Sequence, residues 1–225
     1  MDRFELKYLL HERCREPFLN FLRNNCVLDD NSREGPYRVN SLYYDNSKRE
    51  LYYQNIDGVP FRRKLRIRHY GDFQSSGPRY AEIKQRKSQR ILKKRIQIPS
   101  QHEKEFLDPH FTFPLPEKIW RDEMLFLVDS FKLKPKVYTS YLRMGFFDPS
   151  EERLRITLDI DLSGIKWRKD ITRFEDRASL LSSELSIVEL KGKHRLPFWL
   201  IDAIRDFELK RVKMSKYCEA VRKFK

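Results

Sequence analysis

Apolar and polar residues alternate with a period of two along eight stretches of the chain, spanning 3–10, 37–45, 62–71, 79–86, 91–98, 135–148, 153–162 and 185–192. That period predicts strands with one buried face. Helical spacing predicts helices near 12–25, with Phe18, Leu19, Phe21 and Leu22 on one side, near 46–55, near 117–132 with Ile119, Leu125, Phe126 and Val128, and over 197–207 and 211–224. Asn46-Ser47 and Ser100 read as N-caps, and Asp57-Gly58, Gly71-Asp72 and Ser76-Gly77-Pro78 as turns.

The polar faces are ionic. Phe4, Leu6 and Tyr8 oppose Glu5 and Lys7; Leu65 and Ile67 oppose Lys64, Arg66 and Arg68; Ala81 and Ile83 oppose Glu82 and Lys84. Likewise Ile156, Leu158 and Ile160 oppose Arg155, Thr157, Asp159 and Asp161, and Val188 and Leu190 oppose Glu189 and Lys191. Two architectures fit: an open sheet with one face in water, or a barrel with helices outside and ionic residues within. Helices near both ends and in the middle suit the barrel. An ionic interior is costly to bury unpaired, so it would need water and a polyanion with metal.

Composition points the same way. The chain has 225 residues, 47 Lys and Arg against 33 Asp and Glu, and a net charge of +14, which favours a polyanionic partner. At 40% hydrophobic and 13% aromatic it has enough apolar material to fold as one domain. Cys14, Cys26 and Cys218 share no metal-ligand or disulfide spacing, so a reducing cytoplasm is expected. His11, His69, His102, His110 and His194 form no ligand set. No apolar run approaches the roughly 20 residues of a membrane span.

Four charged pairs at spacing two, Glu5/Lys7, Arg66/Arg68, Glu82/Lys84 and Glu189/Lys191, lie on separate predicted strands. One such pair is ordinary for a solvated strand; four on separate strands are harder to attribute to chance. The segments Phe4–Leu10, Tyr37–Asn46, Arg63–Gly71, Ala81–Arg86, Tyr141–Phe147, Arg155–Asp159, Ile187–Lys191 and Lys213–Tyr217 resemble, in order and from end to end, the signatures of the VTC domain family of the triphosphate tunnel metalloenzyme superfamily.

The resemblance implies an α+β fold: a closed antiparallel eight-stranded β-barrel, or tunnel, wrapped by helices, in a single domain over residues 1–225 with no SPX-like regulatory domain attached. It implies an ATP-dependent polyphosphate polymerase that passes the terminal phosphoryl group of ATP to a growing polyphosphate chain, assisted by Mn2+ or Mg2+. By motif, Lys7, Arg66, Arg68, Lys84, Lys93, Arg143, Lys213 and Lys216 would be phosphate ligands and Glu189 a metal ligand, with Glu5 beside it. Lys93, Lys94 and Arg95 leave open which of them faces inward. At the start of the first strand Arg3 stands where the superfamily has Glu, which weakens a triphosphatase reading that needs two first-strand carboxylates.

The chemistry agrees, because phosphoryl transfer asks a protein mainly for positioning and charge neutralisation. Arg grips phosphate oxygens through two donors, whereas Lys is a point charge past which a polymer can slide. Glu189, with Glu5, Glu82, Asp159 or Asp161, offers the hard oxygens that suit Mg2+ or Mn2+. Lys213 and Lys216, three apart on the predicted last helix, would share a face. Tyr43, Tyr44 and Asp45 read as a packed aromatic strand, with contact to phosphate or metal as the alternative. The alternatives are a metal-dependent triphosphatase and a non-catalytic module binding RNA or phosphoinositide. No exposed aromatic platform supports nucleic acid as the partner. A membrane partner that receives the polymer is left open by the sequence.

Overall fold

The computed structural model describes residues 3–72, 77–88, 90–98, 118–150, 154–168, 176–193 and 195–225. Ser76, Ser100, His102, His110 and His194 lie outside them. The fold is α+β, with an antiparallel sheet of many strands and five α-helices among the described residues. It divides into two compact units, one of Met1–Arg38, Tyr141–Ser163 and Ser179–Met214, the other of Val39–Ser140, Gly164–Ala178 and Ser215–Lys225.

In the first unit the strand order is β11 (Lys210–Arg211), β1 (Arg3–His11), β10 (Leu185–Lys193), β8 (Arg155–Lys166) and β7 (Lys134–Phe147). The short β2 (Val27–Leu28) pairs with β7, and β9 (Ala178–Ser179) with β8. Helices α1 (Arg15–Asn25) and α4 (Phe198–Asp206) cover the apolar face. Phe18, Leu19 and Leu22 of α1 and Leu200 and Ala203 of α4 are buried against Tyr8, Leu10, Ile156, Leu158, Val188 and Leu190. Phe18 meets Phe207 edge to face at 5.2 Å, the geometry that ring quadrupoles favour.

In the second unit the order is β7, β3 (Tyr37–Asp45), β4 (Phe61–Tyr70), β5 (Arg79–Lys87) and β6 (Arg90–Ile98). Leu42, Tyr44, Leu65, Ile67, Ala81, Ile83, Ile96 and Ile98 form its core with Met124 and Leu127 of α3 (Lys118–Phe131) and Leu51 of α2 (Glu50–Ile56). Gly71 takes φ +85° at the turn after β4, a conformation that suits glycine.

All eight predicted long strands are present. The three two-residue strands carry no sequence period and were not expected. The hydrogen-bonded order ends at β6 and β11, so among the described residues the pairing does not close into a barrel. The last helix needs a correction: α5 is Lys216–Lys223, capped by Ser215, whose Oγ accepts from the Cys218 N–H at 3.3 Å. Lys213 is therefore exposed in the segment before the helix and shares no helical face with Lys216. The cap explains the late start, since Ser215 satisfies the first-turn donor there.

Candidate phosphate and metal site

In the second unit, pleating places every other residue of β3, β4, β5 and β6 on the face away from α3. Tyr43, Arg66, Glu82 and Arg95 stand opposite one another across four strands. Beside that row runs another, Lys64, Lys84 and Lys93. Like charges directly opposite on a sheet destabilise it, so a row of three lysines is an arrangement that a bound anion would relieve. The neighbouring cations converge on Glu82, which is 2% exposed. Arg66 reaches its Oε2 through Nε at 2.7 Å and Nη2 at 2.6 Å. Lys93 Nζ lies 2.9 Å from Oε1, as an ion pair without hydrogen-bond alignment, and Arg95 Nε lies 3.7 Å away.

Burial alone would raise the Glu82 carboxyl, but Arg66, Arg68 and Lys93 hold it well below the usual carboxylate range. Tyr43 behaves likewise: burial opposes ionisation, yet Arg66, Arg68 and Lys64 bring its phenol down to about 8. Its hydroxyl accepts from Arg66 Nη1 at 3.2 Å. The ring of Tyr80 lies 3.7 Å from the Arg95 guanidinium, a cation–π contact on the ionic side. Tyr43 and Tyr80 thus belong to the charged face, not to a purely apolar packing of aromatics.

The open choice at 93–95 is decided by α3. Glu123 on that helix pairs with Lys94 and accepts from Gln85 at 2.8 Å, so Lys94 belongs to the helix-covered side while Lys93 and Arg95 join the ionic face. Asp45 plays a structural part. Its carboxylate accepts from the N–H groups of Asn46, Leu51 and Tyr52 at 2.8 to 3.0 Å and from the Tyr217 hydroxyl, tying the start of α2 to α5. Lys216 is buried at the first position of α5.

The ionic face of the first unit is mixed in charge. On it Lys7, Glu189 and Thr157 stand opposite one another across β1, β10 and β8, with Glu5, Lys191 and Arg155 in the next row. Arg143 of β7 donates to Asp159 through Nε at 2.6 Å and Nη2 at 2.8 Å, and its Nη2 is 3.5 Å from Glu189. Burial disfavours the charge on Arg143, but Asp159, Tyr141 and Glu189 raise its pKa well above the ordinary value. Lys191 Nζ is 2.9 Å from Glu189 Oε1. Lys7 donates to the Met214 carbonyl at 2.9 Å and lies 3.8 Å from Glu5.

Arg155, to which the resemblance assigns no ligand role, donates through Nη2 to Asp29 at 2.6 Å and lies 3.3 Å from the Tyr37 hydroxyl. Asp29 fits only because residue 145 is Gly, where a Cβ would come within 2.0 Å of its Oδ2. Nothing in the sequence near Asp29 marks this contact, which joins residues 126 positions apart.

Among the described residues no three His, Cys, Asp or Glu side chains form a metal-binding group. The donors present are Glu189, Glu5 and the orphaned, 2% exposed hydroxyl of Thr157, a group whose burial without a partner costs about 1–3 kcal/mol. This thin set fits a cation of the Mg2+ type, which binds through one or two carboxylates and completes its shell with substrate phosphates. It would not fit an all-protein cage.

The VTC domain model matches residues 2–225 of the chain. Two solved structures are similar in fold: a candidate adenylate cyclase from Bacillus halodurans, 15% identical with a TM-score of 0.58 and 96% of each chain covered, and a candidate adenylyl cyclase from Hippeastrum with a dominant triphosphatase activity, 15% identical with a TM-score of 0.58, covering 96% of this chain and 93% of that one. No curated protein matches the sequence. Among the described residues no helix is long and apolar enough to cross a membrane.

Proposed function

Because the chain belongs to the VTC domain family, we propose that it is an ATP-dependent polyphosphate polymerase acting in the cytoplasm. The observation that carries this reading is the lysine row Lys64, Lys84 and Lys93 beside Arg66 and Arg95. Cations repeated across adjacent strands suit a ligand with charge repeated along its length. In the second unit Arg66 and Arg68 would grip phosphate oxygens and Lys84, Lys93 and Lys216 would let the chain slide; in the first unit Lys7, Arg143 and Lys213 would bind phosphate.

In the transfer, an oxygen of the terminal phosphate of the acceptor attacks the γ-phosphorus of ATP. The bond to the bridging oxygen breaks, and ADP leaves with that electron pair. These side chains hold the reacting groups in line and neutralise the charge that spreads over the phosphoryl oxygens. A divalent cation, Mn2+ or Mg2+, held by Glu189 with Glu5 would supply further neutralisation.

Hydrolysis of triphosphate is the second reading, favoured by the triphosphatase activity of the Hippeastrum protein. Incubating the pure protein with ATP and Mn2+ separates the two. Polyphosphate with ADP is the expected product; free phosphate without polymer overturns polymerisation. Glu189→Gln should lose metal-dependent turnover yet still bind polyphosphate, and full activity in that variant would remove Glu189 from its role.

A further inference from the structure

We propose that the Thr157 hydroxyl is a neutral oxygen ligand of the divalent cation held by Glu189. The inference rests on the metal placement above and extends it by one residue. Thr157 sits directly opposite Glu189 in the β8–β10 register, and side chains so paired have Cβ atoms about 4.5–5.5 Å apart. The Thr157 hydroxyl is bonded to its Cβ and the Glu189 carboxylate reaches beyond its own, so the two oxygens could come within the roughly 4 Å that two Mg2+–oxygen bonds span.

The hydroxyl is buried to 2% exposure and makes no hydrogen bond, although it is flanked by charged groups. A threonine there for packing alone would be served as well by valine, whose shape is similar and which leaves no polar group unsatisfied. The surroundings favour a cation over a phosphate. Glu189 lies across from the hydroxyl and Asp159 two residues along the same strand, and cations beside them are paired with those carboxylates, Arg143 with Asp159 and Lys191 with Glu189. A hydroxyl beside a carboxylate is also a known pairing for magnesium in phosphoryl transfer, as with the Ser or Thr and Asp of P-loop enzymes.

The test is Mn2+ binding by the full chain without nucleotide, followed by the electron paramagnetic resonance signal of free Mn2+. Thr157→Val should raise the Kd for Mn2+ at least fivefold without lowering the unfolding midpoint, Thr157→Ala should do the same without filling the space, and Thr157→Ser should stay within twofold of the parent. Unchanged affinity in a folded Val or Ala variant overturns the proposal, as does equal loss in the Ser variant. Glu189→Gln is the control that separates the two layers. If it binds Mn2+ like the parent, the metal placement itself fails; if it weakens binding while Thr157→Val does not, only the role of Thr157 falls.

Discussion

The ionic faces of the two units are built from the same strand alternation, yet they treat charge in opposite ways. In the first unit cations and carboxylates are interleaved: Arg143 with Asp159 and Glu189, Lys191 with Glu189, Arg155 with Asp29. In the second, Arg66, Lys93 and Arg95 share Glu82, and Lys64, Lys84 and Lys93 stand side by side. A face whose charges already match one another is held together by them. A face that sets lysines side by side carries like charges that repel, so under the proposed function the second arrangement would be the one that binds the phosphate chain.

The largest effect should come from breaking the matched face. Arg143→Ala leaves Asp159 and Glu189 buried beside no guanidinium, which should cost about 3–5 kcal/mol of stability, read from chemical denaturation. A loss under about 1 kcal/mol would show that the pair is not structural.

Next, Glu82→Gln takes the shared counter-charge from the second face. Because Arg66, Lys93 and Arg95 are partly exposed, the cost should be lower, about 2–3 kcal/mol. Polyphosphate should restore stability more in this variant than in the parent, as a thermal shift would show; an equal or smaller shift would contradict the idea that ligand and Glu82 neutralise the same cations. In the parent, the depressed Glu82 pKa contributes stability that is full above the ordinary glutamate pKa and is lost as pH falls below about 4.

Lys84→Gln should behave oppositely. It should weaken polyphosphate binding about tenfold, or ~1.4 kcal/mol, while leaving stability unchanged or raised by a few tenths of a kcal/mol as the lysine row is relieved. A clear destabilisation would make that row a structural feature.

The smallest effect concerns Tyr43. Its phenol should titrate near pH 8 by absorbance at alkaline wavelengths, and Arg66→Ala should move that component up towards the ordinary tyrosine value. Ionisation adds a negative charge to the cationic face, so polyphosphate affinity should fall as pH rises through 8. The same depression stabilises the fold only at alkaline pH: it is absent below the folded value and complete above the ordinary one near 10.

The long strands and their two faces were legible because alternation is a local property: with a period of two, each side chain's face follows from its neighbours. Arg66, Arg68, Glu82 and Lys84 fall on one side of the sheet by that rule alone. The charged run 93–95 could not, since each of its residues satisfies a polar position equally well. Only Glu123 of α3 and the register against β5 put Lys94 on the covered side. Asp45 looked like part of a packed strand and is the anchor of α2, a role set by backbone N–H groups that carry no side-chain signal.

By itself, then, the sequence determined the antiparallel strands, their apolar and ionic sides, the helices that cover them and the excess of cations, since each follows from spacing and composition. Tertiary structure alone decided which carboxylate each cation meets. It brought Asp29 to Arg155 through the space left at Gly145, separated Lys213 from the helix that begins at Lys216, and set Thr157 across from Glu189. The physical reason is that pairing across strands depends on register and on close approach between segments far apart in the chain, and no local pattern encodes either.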